Sequence, residues 1–220
     1  MFSYAQVKSE VRLPGTRLRA YASTRFAGDS RRTLNNPASN VARQYLSESA
    51  LIFAGGLITP KWRGALAWAE AGTSVSYLSR RDTGRIAPDY RAGISFSRSI
   101  GRNIGSEKQG LFLETTADLV FVSRFENDTL LYGQTKTGYT LPAGKIQLYW
   151  NMNLTRDLKR LHWANTTEQG PGLRFRLPGM PSSLLFAVNA ISGRYSIREG
   201  NPYAPTFTDL RAGFWYAFSH

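Results

Sequence analysis

Residues of opposite character alternate at successive positions along most of this chain, over runs longer than strands usually reach in soluble proteins. In 145–156 one face carries Ile146, Leu148, Trp150, Met152 and Leu154, and the other Gln147, Tyr149, Asn151, Asn153 and Thr155. In 111–125, Leu111, Leu113, Thr115, Ala117, Leu119 and Phe121 oppose Glu114, Asp118 and Arg124. In 16–26, Leu18, Ala20, Ala22 and Phe26 oppose Arg17, Arg19, Tyr21, Ser23 and Arg25. A period of two cannot sit on a helix, so the chain must be all-β with one polar and one apolar strand face.

The spacing predicts strands over 4–13, 16–26, 45–59, 64–78, 89–100, 111–125, 129–141, 145–156, 161–177, 184–197 and 206–219, with Gly- and Pro-rich turns between them. Nearly all reach the 9–11 residues that a tilted strand needs to cross hydrocarbon. Connections alternate in length. Pro14–Gly15, Pro60–Arg63, Pro142–Gly144 and Pro178–Ser183 are compact; Gly28–Arg43, Arg80–Pro88 and Glu199–Pro205 are longer, as between the two sides of a spanning barrel. Gly101–Gly110 and Glu126–Asp128 depart from that rhythm.

The expected fold is one domain over 1–220, an antiparallel up-and-down transmembrane β-barrel of eleven to twelve strands with a polar lumen and an apolar exterior. A soluble barrel or sandwich shows the same alternation with its sides exchanged, so period alone leaves a soluble ligand-binding β-barrel open. Strand length and the Gly, Ala and Ser on the polar face favour the membrane form. No uncharged stretch is an unbroken apolar run of helix-spanning length.

Single-chain bacterial barrels use an even strand count, so the odd count predicts a further strand upstream of Met1 or one misread segment. The first residues lack a basic and an apolar region, so the expectation is that either a signal has been removed or the chain is a fragment of a longer polypeptide. The terminal segment is expected to pair with an N-terminal strand or with such an upstream one. It places Leu210, Ala212, Phe214, Tyr216 and Phe218 at alternate positions and stops at His220. Outer-membrane barrels commonly end this way, in a strand captured by the assembly machinery, so Phe214, Tyr216, Phe218 and His220 form the expected assembly signal.

The net charge of +13 suggests an anionic partner. The basic residues are spread along the chain, which argues against a nucleic-acid face and suits lipopolysaccharide or an anionic polymer. The expected lumen set is Arg17, Arg19, Arg25, Glu48, Glu70, Asp89, Arg91, Glu114, Asp118, Arg124, Lys136, Glu168, Arg174, Arg176, Asp209 and Arg211. Charges of both signs facing each other either zip such a lumen shut or line a weakly selective channel.

From about Tyr45 onward, Trp68-Ala69-Glu70-Ala71-Gly72, Pro88-Asp89-Tyr90-Arg91-Ala92-Gly93, Asp128 to Tyr139 and Asn165-Thr166-Thr167-Glu168-Gln169-Gly170-Pro171-Gly172 carry a resemblance. The chain resembles the C-terminal outer-membrane barrel of the enterobacterial phage-adsorption receptor and the related barrels that export cellulose and poly-N-acetylglucosamine. The resemblance implies a passive pore or surface receptor in the cell outer membrane, linked to exopolysaccharide export or phage adsorption.

Enzymatic chemistry has little to draw on. There is no Cys and there are two His, of which His220 is terminal, so a rim hydrolase would rest on His162 with Asp157 or Asn165 nearby. Metal-ligand spacing is lacking, and Glu126, Asn127 and Asp128 read as a capped turn before they read as a calcium site. Gly101-Arg102-Asn103-Ile104-Gly105 lacks the Lys and following helix of a nucleotide loop. No cofactor is expected.

Overall fold

The computed structural model of the chain describes residues 2–29, 50–76, 86–102, 104, 108–124, 127–160, 165–177, 179–181, 183–201 and 204–216. They form one antiparallel sheet of eleven strands in sequence order: β1 (Phe2–Arg12), β2 (Arg19–Asp29), β3 (Ala50–Ile58), β4 (Ala65–Ser76), β5 (Ile86–Gly101), β6 (Gly110–Val122), β7 (Asp128–Thr140), β8 (Ile146–Asp157), β9 (Thr166–Phe175), β10 (Leu184–Tyr195) and β11 (Thr206–Tyr216). A single 3₁₀ turn at Pro142–Gly144 is the only helical element among the described residues.

Each predicted segment overlaps one strand. β5 begins before Pro88, where the sequence suggested a break. Pairing of β5 with β6 starts only at Arg91↔Val122, so the missing Pro88 N–H falls where no β6 neighbour asks for it. Pro171 instead sits inside β9, and there the ladder to β10 lapses between Asn189↔Gly172 and Ser192↔Gln169.

Among the described residues β1 pairs only with β2 and β11 only with β10, so the sheet has two free edges. Ten successive antiparallel pairings make β1 and β11 run in the same direction. One end of the sheet carries the connections 13–18, 59–64, 102–109, 141–145 and 176–183; the other carries 30–49, 77–85, 123–127, 158–165 and 196–205. The hairpin at the 59–64 end is a two-residue turn, with Arg63 and Gly64 both at positive φ (48° and 95°) between the mutually bonded Trp62 and Ala65. Two left-handed residues twist in the sense of the strands they join.

The sheet buries its polar face and exposes its apolar one. Along β8, Gln147, Tyr149 and Asn151 are 0%, 5% and 3% exposed, while Leu148, Trp150 and Met152 are 50%, 45% and 51% exposed. The same holds for Leu111, Leu113, Leu119 and Phe121 on β6 and for Phe26 on β2. Among the described residues no second layer covers the polar face. It is shielded because the sheet curls, so that side chains two or three strands apart meet across the concave side. The largest fully buried side chains accordingly include Gln147, Thr140, Asp89 and Asp128 beside Ile52, Ile191 and Val122.

Candidate functional site

Curling on this scale requires close approach across the concave face, and one device recurs. Tyr21 on β2 lies opposite Gly56 on β3, which lies opposite Glu70 on β4. With no side chain at Gly56, the phenol crosses β3 and its hydroxyl donates to Glu70 Oε2 at 2.7 Å. A Cβ at Gly56 would stand 2.7 Å from the Tyr21 ring. Six strands on, Tyr149 on β8 lies opposite Gly172 on β9, itself opposite Asn189 on β10. The Tyr149 hydroxyl donates to Asn189 Oδ1 at 2.9 Å, and a Cβ at Gly172 would be 2.3 Å from the ring. Each Tyr spans three strands and fixes the local curvature.

Three charged clusters occupy the space between these devices. In the first, Arg25 donates to both oxygens of Glu70, and Arg91 Nε stands 3.8 Å from the same carboxylate. Arg91 also grips Asp89 through Nε and NH2 at 2.9 and 2.8 Å, and Arg124 Nε lies 3.4 Å from Asp89 Oδ2. Three guanidinium groups thus share two carboxylates that are 2% and 1% exposed. Planar, always-charged forks suit such multidentate contacts in a confined space.

In the second cluster Arg174 on β9 reaches Glu114 on β6, its NH1 donating to Oε2 at 3.0 Å, while its Nε donates to Gln147 Oε1 at 2.8 Å. Lys136 stands 5.6 Å above the Tyr149 ring beside them, within cation–π range. The third joins β9 to β11: Arg211 donates to both oxygens of Glu168 at 2.7 and 2.8 Å and to Asp209 at 3.0 Å. Asn153 donates to Glu168 at 3.1 Å, and Gln134 to Asn153 at 2.9 Å and to the Tyr132 hydroxyl at 3.1 Å.

The concave face therefore gathers Arg25, Glu70, Asp89, Arg91, Glu114, Arg124, Lys136, Glu168, Arg174, Asp209 and Arg211 from the expected lumen set. Arg19 joins Glu10 at 2.7 Å near the end of β2. Asp118 and Arg176 are half-buried outside these clusters, and Arg17 is exposed in the β1–β2 turn. Glu48, Phe218, His220, Glu126 and His162 lie outside the described residues. Of the terminal signature, Phe214 is exposed on β11 with its ring 6.3 Å from that of Phe186, and Tyr216 ends the strand.

The structure also sorts the charge in a way the sequence order conceals. The strands hold eleven Lys and Arg against ten Asp and Glu, while the connections hold seventeen against five. The basic surplus therefore belongs to the two ends of the sheet, and its concave wall is nearly neutral through pairing. The Tyr–Gly devices were missed in the sequence. Only the register shows a Tyr opposite Gly56 and opposite Gly172.

Chemically, the wall offers fixed donors and acceptors, and among the described residues no three His, Cys, Asp or Glu side chains come together as a metal ion would need. No protein-family model and no curated protein matches the chain.

Proposed function

We propose that this protein is an outer-membrane β-barrel acting as a passive, polar-lined pore, and not an enzyme. The observation that carries the reading is the inverted burial: polar side chains covered, large apolar ones bare along the strands. In water such a surface is a liability, because soluble monomers rarely leave contiguous apolar patches beyond a few hundred Å². In hydrocarbon the same face is solvated by lipid, and backbone groups are satisfied by their neighbours on either side once the two edges are closed. Strand lengths, the compact turns at 13–18, 59–64 and 141–145 and the aromatic terminal strand agree with that setting.

The lining suits a neutral or mildly anionic polymer such as a polysaccharide. Tyr, Asn and Gln give hydroxyl and amide contacts, and the paired ions hold the wall without a dominant sign. The cationic ends would concentrate anions at both mouths. Single-channel recording in a planar bilayer tests this: steady conductance with a weak preference for anions is expected. The clustered ion pairs reaching across the concave face favour a second version, a narrow barrel displayed as a surface receptor for phage or polysaccharide. An electrically silent yet fully inserted protein would select that version. A protein that folds as a monodisperse species without detergent or lipid would refute both, in favour of a soluble ligand-binding β-barrel. Hydrolysis of phospholipid or peptide that disappears in His162→Ala would replace the non-enzymatic reading with that of a rim hydrolase.

A further inference from the structure

We infer that the short-turn end of the sheet is a docking rim for the phosphate headgroups of anionic phospholipid, a proposal that rests on the membrane reading above. The five short connections contain seven Lys and Arg and a single acid, Glu107, which lies outside the described residues. Arg12, Arg17, Lys61, Arg63, Arg102 and Lys145 are all exposed at this end, and none has a carboxylate partner among the described residues. Their neighbours are neutral: Arg12 Nε donates to the Thr16 carbonyl at 3.3 Å and Lys61 Nζ to the Ser97 hydroxyl at 2.8 Å. The strands balance their cations to within one charge, eleven Lys and Arg against ten Asp and Glu, so the surplus at this rim calls for an external anion.

The occupant follows from what adjoins the rim. Trp62, 70% exposed, closes the tight turn at this end with the Arg63 guanidinium 5.0 Å above its ring. Exposed Leu111, Ile146 and Tyr139 stand at the same ends of their strands. Cations placed at the border of a continuous apolar band match the geometry of a bilayer leaflet, where phosphates lie at the edge of the hydrocarbon. An aromatic ring that carries a cation satisfies both layers at once. A soluble polyanion would match the charge and leave the adjoining apolar band without a role.

The test uses the full chain reconstituted in phosphatidylcholine vesicles, with either brominated phosphatidylcholine or brominated phosphatidylglycerol as quencher of tryptophan fluorescence. A basic side chain near an anionic surface favours binding by about 1 kcal/mol, about fivefold. Phosphatidylglycerol is therefore expected to occupy the rim several-fold over phosphatidylcholine. The preference should vanish in Arg17→Gln/Lys61→Gln/Arg63→Gln/Lys145→Gln and persist in Arg17→Lys/Arg63→Lys, which keeps the charge. These side chains are exposed, so the strands should form in either variant. Equal quenching by both lipids in the inserted wild-type protein would overturn the rim proposal alone and leave a soluble polyanion as its occupant. An undiminished preference in the Gln variant would overturn it too. Failure of the wild-type protein to insert in either vesicle would take the membrane reading with it.

Discussion

A charge on the exposed face of β8 separates the membrane and water settings by sign and size. Trp150 is 45% exposed, lies near the middle of the twelve-residue strand, and is flanked by Thr137 on β7 and Pro171 on β9, so an Arg there has no carboxylate opposite it. On a lipid-facing strand an Arg near the bilayer midplane costs about 2–4 kcal/mol, a loss of roughly thirtyfold to a thousandfold in the folding constant. On a water-facing strand the same change stays within about 0.5 kcal/mol. The control is its neighbour. Asn151 is buried on the concave face directly opposite Lys136, so Asn151→Asp places a carboxylate against an ammonium and should stabilise by about 0.2–1 kcal/mol. Urea titration of the heat-modifiable folded form in vesicles reads both. Trp150→Arg within error of wild type, or Asn151→Asp more damaging than Trp150→Arg, would refute the assignment of the two faces.

Other consequences are as direct. Glu70→Gln leaves Arg25 and Arg91 without a full counter-charge in a buried cluster and should cost about 3 kcal/mol; the Arg25→Gln/Glu70→Gln double variant should recover part of it, as a double-mutant cycle in urea would show. Gly172→Ala forces a methyl onto the Tyr149 ring and the Asn189 amide, at a cost of about 1–3 kcal/mol, and the same substitution in a Tyr149→Ala background should be nearly neutral by the same measure. The chain has no Cys, so paired cysteines scanned along β1 and β11 report closure without background. An intramolecular cross-link in the membrane-inserted protein is expected, and persistent failure across the scan would mean that these edges do not meet. Should closure be direct, the cross-linking register must be parallel, since both strands run the same way.

Much of the architecture was legible because a period of two is a local signal. Every strand overlapped its predicted segment, and the β8 faces followed from Leu148-Tyr149-Trp150-Asn151-Met152 alone. Which face is buried did not follow from alternation, which is symmetric under exchange of sides; strand length and the small residues of the polar face pointed to that face, and the curl of the sheet, seen in Tyr149 reaching Asn189 across Gly172, buries it. Pairing among the charges was hidden for a related reason. Arg174 and Glu114 are three strands apart, and their contact depends on the register of β6 through β9 acting together. The chain order interleaves strands and connections, so the basic residues read as spread along the chain when their surplus belongs to the connections.

That partition explains how one sequence can be strongly basic and still bury so many charges. Within a low-dielectric wall an uncompensated ion is expensive, and Glu70, Asp89, Glu114 and Glu168 each meet at least one fork, with Asp89 and Arg91 gripping each other while they serve Arg124 and Glu70. Ends that face headgroups and water carry no such constraint, and there the surplus of cations accumulates. A strand substitution that leaves a buried ion without its partner should therefore destabilise the fold, whereas a charge change in the 59–64 or 141–145 turn should leave folding intact and change which lipid gathers at the rim.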